Sequence, residues 1–439
     1  MPSPTEDAAA AERDAALREL GTADATELTL GGIPARELAA QFGTPLYVFD
    51  AAVLARRAAA VRAALGPRVE LLWSVKANPS VAVTAALRRA GAGAEVASLG
   101  ELQLALAAGH TAAALRFAGP GKTDAEIGAA LDLGLGCFHA ESAGEVAAIA
   151  AAARHRGTTA AVALRVNLPQ ELAGARMRMG GRSSRFGIDT EQVPALARTI
   201  RADAALRLVG LHVYAGTQCF DAGAFVQHAR DLIAHATRWE QELGVPLPEL
   251  DLGGGFGVAT YAGDPTFDLA AAGEGVRALV AEHDRPHRRW FVELGRYLAA
   301  PAGVYLTRVV RTKRSGGERH AVLDGGMHHA AAAAGVGTVL RRPPLLVHAT
   351  RLADAATEPV SLGGPLCTPA DQFADQVPLP PLAVGDLVAV LAAGAYGLSY
   401  SPHGFLSHPT PAEVLVEDGA ARIVRRRGRV EDVLRHQTP

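Results

Sequence analysis

The chain has 439 residues, enough for two or three domains, and 49% of them are hydrophobic. Its 43 Lys and Arg residues nearly balance its 45 Asp and Glu residues, which excludes a broad basic field and makes a nucleic-acid partner unexpected. The three cysteines, Cys137, Cys219 and Cys367, cannot all pair, which favours a reducing compartment over a disulfide framework.

The N-terminal segment, residues 1–21, mixes acidic and basic residues and has no apolar run of the kind a signal peptide needs. We predict a flexible tail there. No stretch of the chain reaches about 18 apolar residues without a charge or a Gly or Pro break. We therefore expect no membrane partner and a cytoplasmic location.

Residues 49–300 repeat one pattern, in which a short apolar run and a turn precede a longer stretch with helical spacing of Ala, Leu and Ile. The eight predicted strands are 71–77, 92–99, 114–119, 135–140, 160–168, 208–214, 249–256 and 290–295. Several of the predicted helices open with Ser, Thr or Asp and close at Gly. Eight alternating units predict a (β/α)8 TIM barrel.

The C-terminal part, residues 301–439, has short β-branched runs separated by Gly, Pro and Asp turns and no long helical pattern. It predicts an all-β domain. Residues 22–48 read as a strand, a short helix and a second strand, and we predict that this segment joins the β domain.

Polar residues occur near the end of each predicted barrel strand, where the functional residues of such barrels lie. These positions are Lys76, Ser98, Gly119, His139, Asn167, His212, Gly253 to Gly255, and Glu293. Chance explains any one of them easily, but the full set much less easily.

Lys76 lies in WSVKANPS, at the expected mouth of the barrel. Burial lowers the pKa of an ammonium group, and a neutral amine can form a Schiff base with a carbonyl. The alternative is an ion-paired lysine or one that extends to solvent.

The run DLGGGFG (251–257) follows the seventh strand and leaves backbone N–H groups open to an anion such as phosphate. The alternative is ordinary turn chemistry.

Glu293 and Arg296 end the eighth strand in ELGR. A carboxylate there can keep a heteroaromatic nitrogen protonated, and the arginine suits a phosphate or carboxylate. The alternative is an internal Glu–Arg bridge. His212, in GLHVYAGTQ, can stack on a planar ligand or be a buried core histidine. No spacing of His and Cys predicts a metal, and the adjacent His328 and His329 cannot both point one way on regular structure.

Several motifs together resemble the fold-type III pyridoxal-phosphate decarboxylases, which include diaminopimelate, ornithine and arginine decarboxylases. They are SVKANPS, FAGPGKTDAEI, GLHVYAGTQ, DLGGGFG, ELGRYLAAPAG, GPLCTPADQF and GAYG, in that order from about residue 40 to 410. The resemblance implies a barrel of the alanine-racemase type with a C-terminal β domain. It also implies pyridoxal 5'-phosphate as cofactor and a homodimer that shares its active sites.

The resemblance assigns roles residue by residue. Lys76 matches the lysine that holds the cofactor, His212 the residue stacked on its ring, and Glu293 the carboxylate at the ring nitrogen. Gly253, Gly254 and Gly255 match the phosphate loop, and Gly295, Arg296 and Tyr396 match contacts to phosphate and substrate. Cys367 matches the cysteine that the partner subunit donates to return a proton, and Thr368 follows it at a substrate-binding position.

The implied reaction is loss of the α-carboxylate of an L-amino acid, or of an amino-acid derivative, as CO2. Relatives that act on diaminopimelate or ornithine place Glu or Asp after the cysteine to receive the distal ammonium, and this chain has Thr368 and Pro369. The Arg-Pro-x-x-Tyr segment of the diaminopimelate type is missing from 323–337, and Ala215 replaces a frequent phosphate-binding Ser. Burying an unpaired ammonium is costly, so free diaminopimelate or ornithine is disfavoured.

The segments ELAGARMRMGGRSSRFGID (171–189), DGGMHH and GPLCTP look like a subgroup of specialised metabolism. That subgroup includes a decarboxylase acting on a glutamyl group tethered to a carrier protein. The basic run at Arg425 to Arg427 is a hypothetical docking site for such an acidic carrier, and the alternative is a solvated surface.

Three other functions stay open. They are a diaminopimelate decarboxylase of lysine biosynthesis, an amino-acid racemase on the same scaffold, and a non-catalytic regulator. Such racemases place an arginine against the ring nitrogen, so Glu293 argues against that function. Regulators tend to lose the lysine or the cysteine, and this chain keeps both Lys76 and Cys367.

Overall fold

The computed structural model describes residues 4–170, 172, 174–178, 183–337 and 341–438. Its helices are α1 (Pro4–Glu19), α2 (Ala35–Phe42), α3 (Ala51–Leu65), α4 (Val81–Arg89), α5 (Leu99–Ala107), α6 (Asp124–Asp132), α7 (Ala143–His155), α8 (Val193–Ala202), α9 (Ala222–Leu243), α10 (Leu269–His283) and α11 (Arg296–Ala299).

Its strands are β1 (Thr29–Leu30), β2 (Ile33–Pro34), β3 (Leu46–Asp50), β4 (Val69–Ser74), β5 (Gly93–Val96), β6 (Leu115–Phe117), β7 (Cys137–Ala140), β8 (Ala160–Asn167), β9 (Ala175–Arg178), β10 (Ile188–Asp189), β11 (Leu206–His212), β12 (Gly216–Cys219), β13 (Glu249–Gly254), β14 (Arg289–Leu294), β15 (Gly303–Ser315), β16 (Glu318–Leu323), β17 (Leu346–His348), β18 (Glu358–Gly363), β19 (Gln372–Leu379), β20 (Leu387–Val390), β21 (Ala412–Glu417) and β22 (Ala420–Arg425).

Eight parallel strands form a closed barrel in the order β4, β5, β6, β7, β8, β11, β13, β14, with β14 returning to β4. Every predicted barrel strand is present, so the barrel prediction is confirmed. Most residues of these strands are buried, as expected for parallel strands covered on both faces. Because all eight run the same way, their C-terminal ends meet at one mouth of the barrel.

The first barrel strand is shorter than predicted. It ends at Ser74, and Val75–Ala77 form a single 3-10 turn. Lys76 therefore lies in a turn just beyond the strand, because the pattern of small and apolar residues in LLWSVKA does not mark where the backbone leaves the sheet. A strand end and a first turn share the same apolar composition.

The side-chain caps predicted at helix starts are present on several barrel helices. Ser98 and Ser142 accept hydrogen bonds from the backbone N–H three residues on, and Thr123 forms a reciprocal capping box with Glu126. Helix α8 begins at Val193, and Pro194 suits its first helical turn.

A second sheet runs in the order β19, β18, β16, β15, β3, β21, β22, with β20 pairing to β15 and β17. Strand β3 pairs antiparallel with β15 and parallel with β21, so the N-terminal strand lies inside the sheet built by the C-terminal part. This sheet confirms the β-rich C-terminal part. Strand β19 has a weak sequence signal, since QFADQVPL alternates weakly and contains Pro378.

The described chain divides into two compact units. One comprises the chain up to Leu54, Val258–Pro265 and the chain from Leu298 onward, and the other comprises Ala55–Gly257 and Thr266–Tyr297. In the first unit, helix α1 occupies most of the segment predicted as a flexible tail, and Leu17 and Leu20 are buried. None of the helices in the described ranges is long and apolar enough to cross a membrane.

Candidate active site

Lys76 forms an ion pair at the mouth of the barrel. Its Nζ atom lies 3.4 Å from Oε2 of Glu95, which is on the neighbouring strand β5 and is 1% exposed. The amine also lies 4.9 Å from the ring centroid of Tyr214. The lysine side chain is 32% exposed, so the ion-paired alternative describes it in this structure.

Glu293 and His212 contact each other in the buried floor of the same mouth. Nε2 of His212 lies 3.2 Å from Oε2 of Glu293, and both side chains are 1% exposed. Oε1 of Glu293 faces Nδ1 of His139, 3.9 Å away. The rings of His139 and His212 stack with centroids 4.3 Å apart and an interplanar angle of 24°.

Burial sets the protonation of this cluster. It lowers the pKa of His139 and of His212 well below the ordinary value, and for His139 the neighbouring His212 adds to the effect. Burial, reinforced by the charge of Glu293, raises the pKa of Asp251 well above its ordinary value. Burial thus favours the neutral form of both imidazoles and of the Asp251 carboxyl group.

The glycine run is required by close backbone packing. A Cβ atom at Gly253 would lie 2.2 Å from the carbonyl oxygen of Val213, one at Gly254 1.7 Å from that of Glu293, and one at Gly255 2.1 Å from that of Gly216. Gly253 and Gly255 also adopt positive φ values of +69° and +89°. The glycines are needed here whether or not the loop binds an anion.

Gly295 and Arg296 follow Glu293 at the end of the last barrel strand. A Cβ atom at Gly295 would lie 2.8 Å from Cβ of Ala77, beside the turn that carries Lys76. Arg296 is half-buried and opens helix α11. Ala215, the departure from a phosphate-binding Ser, is buried in an apolar cluster with Leu172 and Cys219.

The structure thus brings together Lys76, His212, the glycine run, Glu293, Gly295 and Arg296 in the barrel unit. Sequence reasoning missed Glu95 and Asp251, and it noted His139 only as a strand end. Each of the three lies in a barrel strand and is at least 98% buried. A charged or polar residue inside an otherwise apolar strand was the signal that could have found them.

The other predicted site residues belong to the first unit. Cys367 is a free, exposed cysteine in the loop after β18, and Thr368 is half-buried beside it. Tyr396 is half-buried, has φ +53°, and makes an edge contact with Tyr400. Cys137 and Cys219 are free and buried.

Among the described residues, one group could hold a metal ion, and it is the floor of this mouth. His139, His212, Asp251 and Glu293 place one ligand atom each within 4.8 Å of one another. The adjacent His328 and His329 have ring centroids 3.7 Å apart and are not part of such a group.

A family model described as "Pyridoxal-dependent decarboxylase, pyridoxal binding domain" matches residues 51–300, the region that forms the barrel strands. The chain belongs to this family. It is a pyridoxal-phosphate-dependent decarboxylase that acts on an amino-acid substrate, which confirms the function and cofactor expected from the motifs.

Known decarboxylases match this one along nearly their whole length. The L-glutamyl-[BtrI acyl-carrier protein] decarboxylase of Niallia circulans is 35% identical over 406 residues, covering 91% of this chain and 95% of that protein. The diaminopimelate decarboxylase of Zymomonas mobilis is 33% identical over 420 residues, covering 93% and 96%. The crystal structure of the diaminopimelate decarboxylase of Helicobacter pylori with L-lysine superposes with a TM-score of 0.83 at 26% identity, covering 91% and 98%.

The residues present in the decarboxylase fit its cofactor. Oε1 of Glu293 is buried and has no hydrogen-bond partner among the described residues, so it can accept a bond from a protonated ring nitrogen. Among the described residues of the barrel mouth, the ring of His212 stacks on the ring of His139. A planar ligand can stack on its opposite face. A lysine amine beside a carboxylate completes the set.

Proposed function

We propose that this decarboxylase removes the α-carboxylate of an L-amino acid tethered through its side chain to an acidic carrier protein. The reaction takes place at the barrel mouth that holds Lys76, His212 and Glu293. The observation that carries the site assignment is the buried contact of 3.2 Å between His212 and Glu293 on the floor of the mouth, with the Lys76 amine at the end of a neighbouring strand.

Each of these residues has one task toward the cofactor. When bound, pyridoxal phosphate supplies an aldehyde that takes up an amine and a ring that accepts the electron pair left by departing CO2. Lys76 would hold the aldehyde, and Glu293 would hold the proton on the ring nitrogen. His212 would stack on the ring. Backbone N–H groups of the glycine run, with Gly295 and Arg296, would hold the phosphate.

Cys367, Thr368 and Tyr396 complete the proposal. Exposure of the Cys367 thiol in a loop supports donation of that loop to the site of a second copy of the chain, where it would return the proton at Cα. Tyr396 would contact phosphate and substrate. This arrangement requires a homodimer with shared active sites. We also propose a cytoplasmic location, since its cysteines are free.

Charge supports a tethered substrate over a free diamino acid such as diaminopimelate or ornithine. Thr368 stands where the diaminopimelate and ornithine types have a carboxylate, so a distal ammonium has no partner at that position. Arg176 and Arg185 are exposed on the segment that follows β8, and β9 in that segment pairs with β12 beyond the C-terminal end of β11. Positive charge beside the mouth suits an acidic partner.

The C-terminal arginines are less suited to docking. Arg427 is half-buried and donates hydrogen bonds to the carbonyl oxygens of Phe42 and Pro45. Arg425 forms an ion pair with Glu413 at 2.9 Å. Two of the three arginines are thus engaged inside their own unit, and we place the carrier near Arg176 and Arg185. Residues 179–182 of that segment lie outside the described residues.

Release of CO2 from a panel of substrates tests the proposal. The panel contains a glutamyl-loaded carrier protein, free L-glutamate, diaminopimelate and ornithine. We expect the highest kcat/KM on the loaded carrier. A preference for diaminopimelate would support the second candidate, diaminopimelate decarboxylation, which the 33% identity to the Zymomonas mobilis enzyme favours.

A lysine variant tests the site itself. Lys76→Ala should lose both the visible absorbance of the bound cofactor and the activity. Lys313→Ala, at an exposed position on β15, is the matched control and should keep both. Full retention of activity in the Lys76 variant would overturn the assignment.

A further inference from the structure

A second histidine is built into the floor of the barrel mouth. His139 lies on β7, is 1% exposed, and stacks on His212 with ring centroids 4.3 Å apart. Its Nδ1 atom faces Oε1 of Glu293 at 3.9 Å, which is beyond hydrogen-bond distance. None of the roles assigned above includes this residue.

The backbone holds His139 in place from two sides. Its carbonyl oxygen accepts a hydrogen bond of 2.9 Å from Nζ of Lys122, whose side chain is 1% exposed and pairs with Glu145 at 2.6 Å. In the sheet, His139 lies in register with Ala163 of β8. The constrained backbone and the burial of the ring leave the His139 side chain little freedom to move.

The stack restricts what His212 can do. Because His139 covers one face of the His212 ring, a planar ligand can stack only on the other face. Glu293 is likewise bracketed, with Oε2 toward His212, Oε1 toward His139, and the Asp251 carboxyl group in the same cluster. Within the described residues, Nδ1 of His139 and Oε1 of Glu293 both lack a hydrogen-bond partner. A small rotation of either side chain would let the imidazole N–H donate to the carboxylate.

We propose that His139 is a positioning residue for decarboxylation. It holds the His212 ring in the orientation in which the cofactor ring can stack on it. It also holds the Glu293 carboxylate oriented toward the position of the cofactor's ring nitrogen. The inference rests on the proposed roles of His212 and Glu293, and it adds a residue that acts through both of them without touching the substrate.

Two variants separate the stack from the polar contact. His139→Phe keeps a flat ring and removes the nitrogen, whereas His139→Asn keeps a donor and removes the ring. We expect cofactor affinity, measured by titrating cofactor-free protein and following absorbance, to fall about three- to tenfold in His139→Asn and to stay near wild type in His139→Phe. The circular dichroism of the bound cofactor should change in the same variant that loses affinity.

Turnover gives the complementary readout. His139→Phe should lower kcat with little change in KM, because the polar contact to Glu293 is gone while the stack remains. His139→Asn should recover part of that loss in kcat. His228→Ala, a buried histidine on α9, is the control for a purely structural effect and should lower Tm without altering the cofactor spectrum.

The inference is overturned if both His139 variants bind cofactor with wild-type affinity, dichroism and kcat and differ only in Tm. Failure of the proposed function has a different signature. In that case Glu293→Gln would keep full activity, or the wild-type protein would bind no cofactor at all.

Discussion

Oε2 of Glu293 lies 3.2 Å from Nε2 of His212, although 81 residues separate the two along the chain. They meet because β11 and β14 end at the same mouth of a closed barrel, on either side of β13. The carboxylate is 1% exposed, and its second oxygen has no hydrogen-bond partner among the described residues. Such an oxygen is costly to bury without a partner, and a protonated ring nitrogen of a bound ligand would supply one.

Replacement of this carboxylate should remove most of the activity. Glu293→Gln keeps the shape of the side chain but cannot hold a proton on a ring nitrogen, so we expect kcat to fall about a hundredfold or more. Decarboxylation of the preferred substrate measures the loss. Glu249→Gln, a change of the same chemistry at the opposite end of β13, is the control and should keep most of the activity.

Mixing two inactive variants should restore activity if the sites are shared between subunits. Lys76→Ala and Cys367→Ala each remove a residue that we assign to the same site from different copies. Random reassociation of equal amounts leaves one intact site in each mixed dimer, which predicts about a quarter of the wild-type activity. No recovery, in a mixture shown by mass to contain mixed dimers, would contradict the shared site.

Stability should depend on the protonation of Glu101. Burial raises the pKa of Glu101 from 4.5 to about 7, opposed by a hydrogen bond from the backbone N–H of Ala97. Between pH 4.5 and about 7 the folded chain keeps a proton on Glu101 that the unfolded chain releases. The contribution of Glu101 to the free energy of unfolding is therefore lost as the pH rises towards 7. Glu101→Gln should therefore be the more stable protein at pH 8, by at most about 3 kcal/mol.

Glu126 provides a control of opposite sign. Hydrogen bonds from the backbone of Thr123 and Leu99 lower the pKa of Glu126 in the folded chain. Its contribution to the free energy of unfolding is therefore present above the pKa of the unfolded chain and is lost on acidification. Glu126→Gln should be less stable than wild type at pH 8. Urea unfolding of both variants and of the wild type at pH 5 and pH 8 measures the two trends. If the stability difference from wild type changed with pH in the same direction in both variants, the assignment of opposite pKa shifts would be wrong.

A carboxylate after Cys367 should shift the substrate preference. Thr368→Glu introduces a partner for a distal ammonium, and one charged hydrogen bond predicts a gain of about tenfold in kcat/KM for free diaminopimelate. Thr368→Gln, which has the same size without the charge, should show no gain. An equal gain in both variants would attribute the effect to size instead of charge.

The amino-acid sequence by itself determined the architecture and pointed to most residues of the proposed site. Eight apolar runs with helices between them sufficed for a barrel, because burial on both faces leaves a continuous hydrophobic signature in each strand. Motifs at the strand ends pointed to Lys76, His212 and Glu293, since a lysine, a histidine and a carboxylate stand out in apolar surroundings.

Only the tertiary structure decided which side chains meet. Glu95, His139 and Asp251 lie in strands and have no motif of their own, and their contacts with Lys76, His212 and Glu293 arise when the sheet closes. The alternation of a strand tells which residues share a face, but it does not tell which of eight strands will be neighbours across the barrel interior. Barrel closure supplies that information, and with it the buried, partly unsatisfied polar floor on which the cofactor is expected to bind.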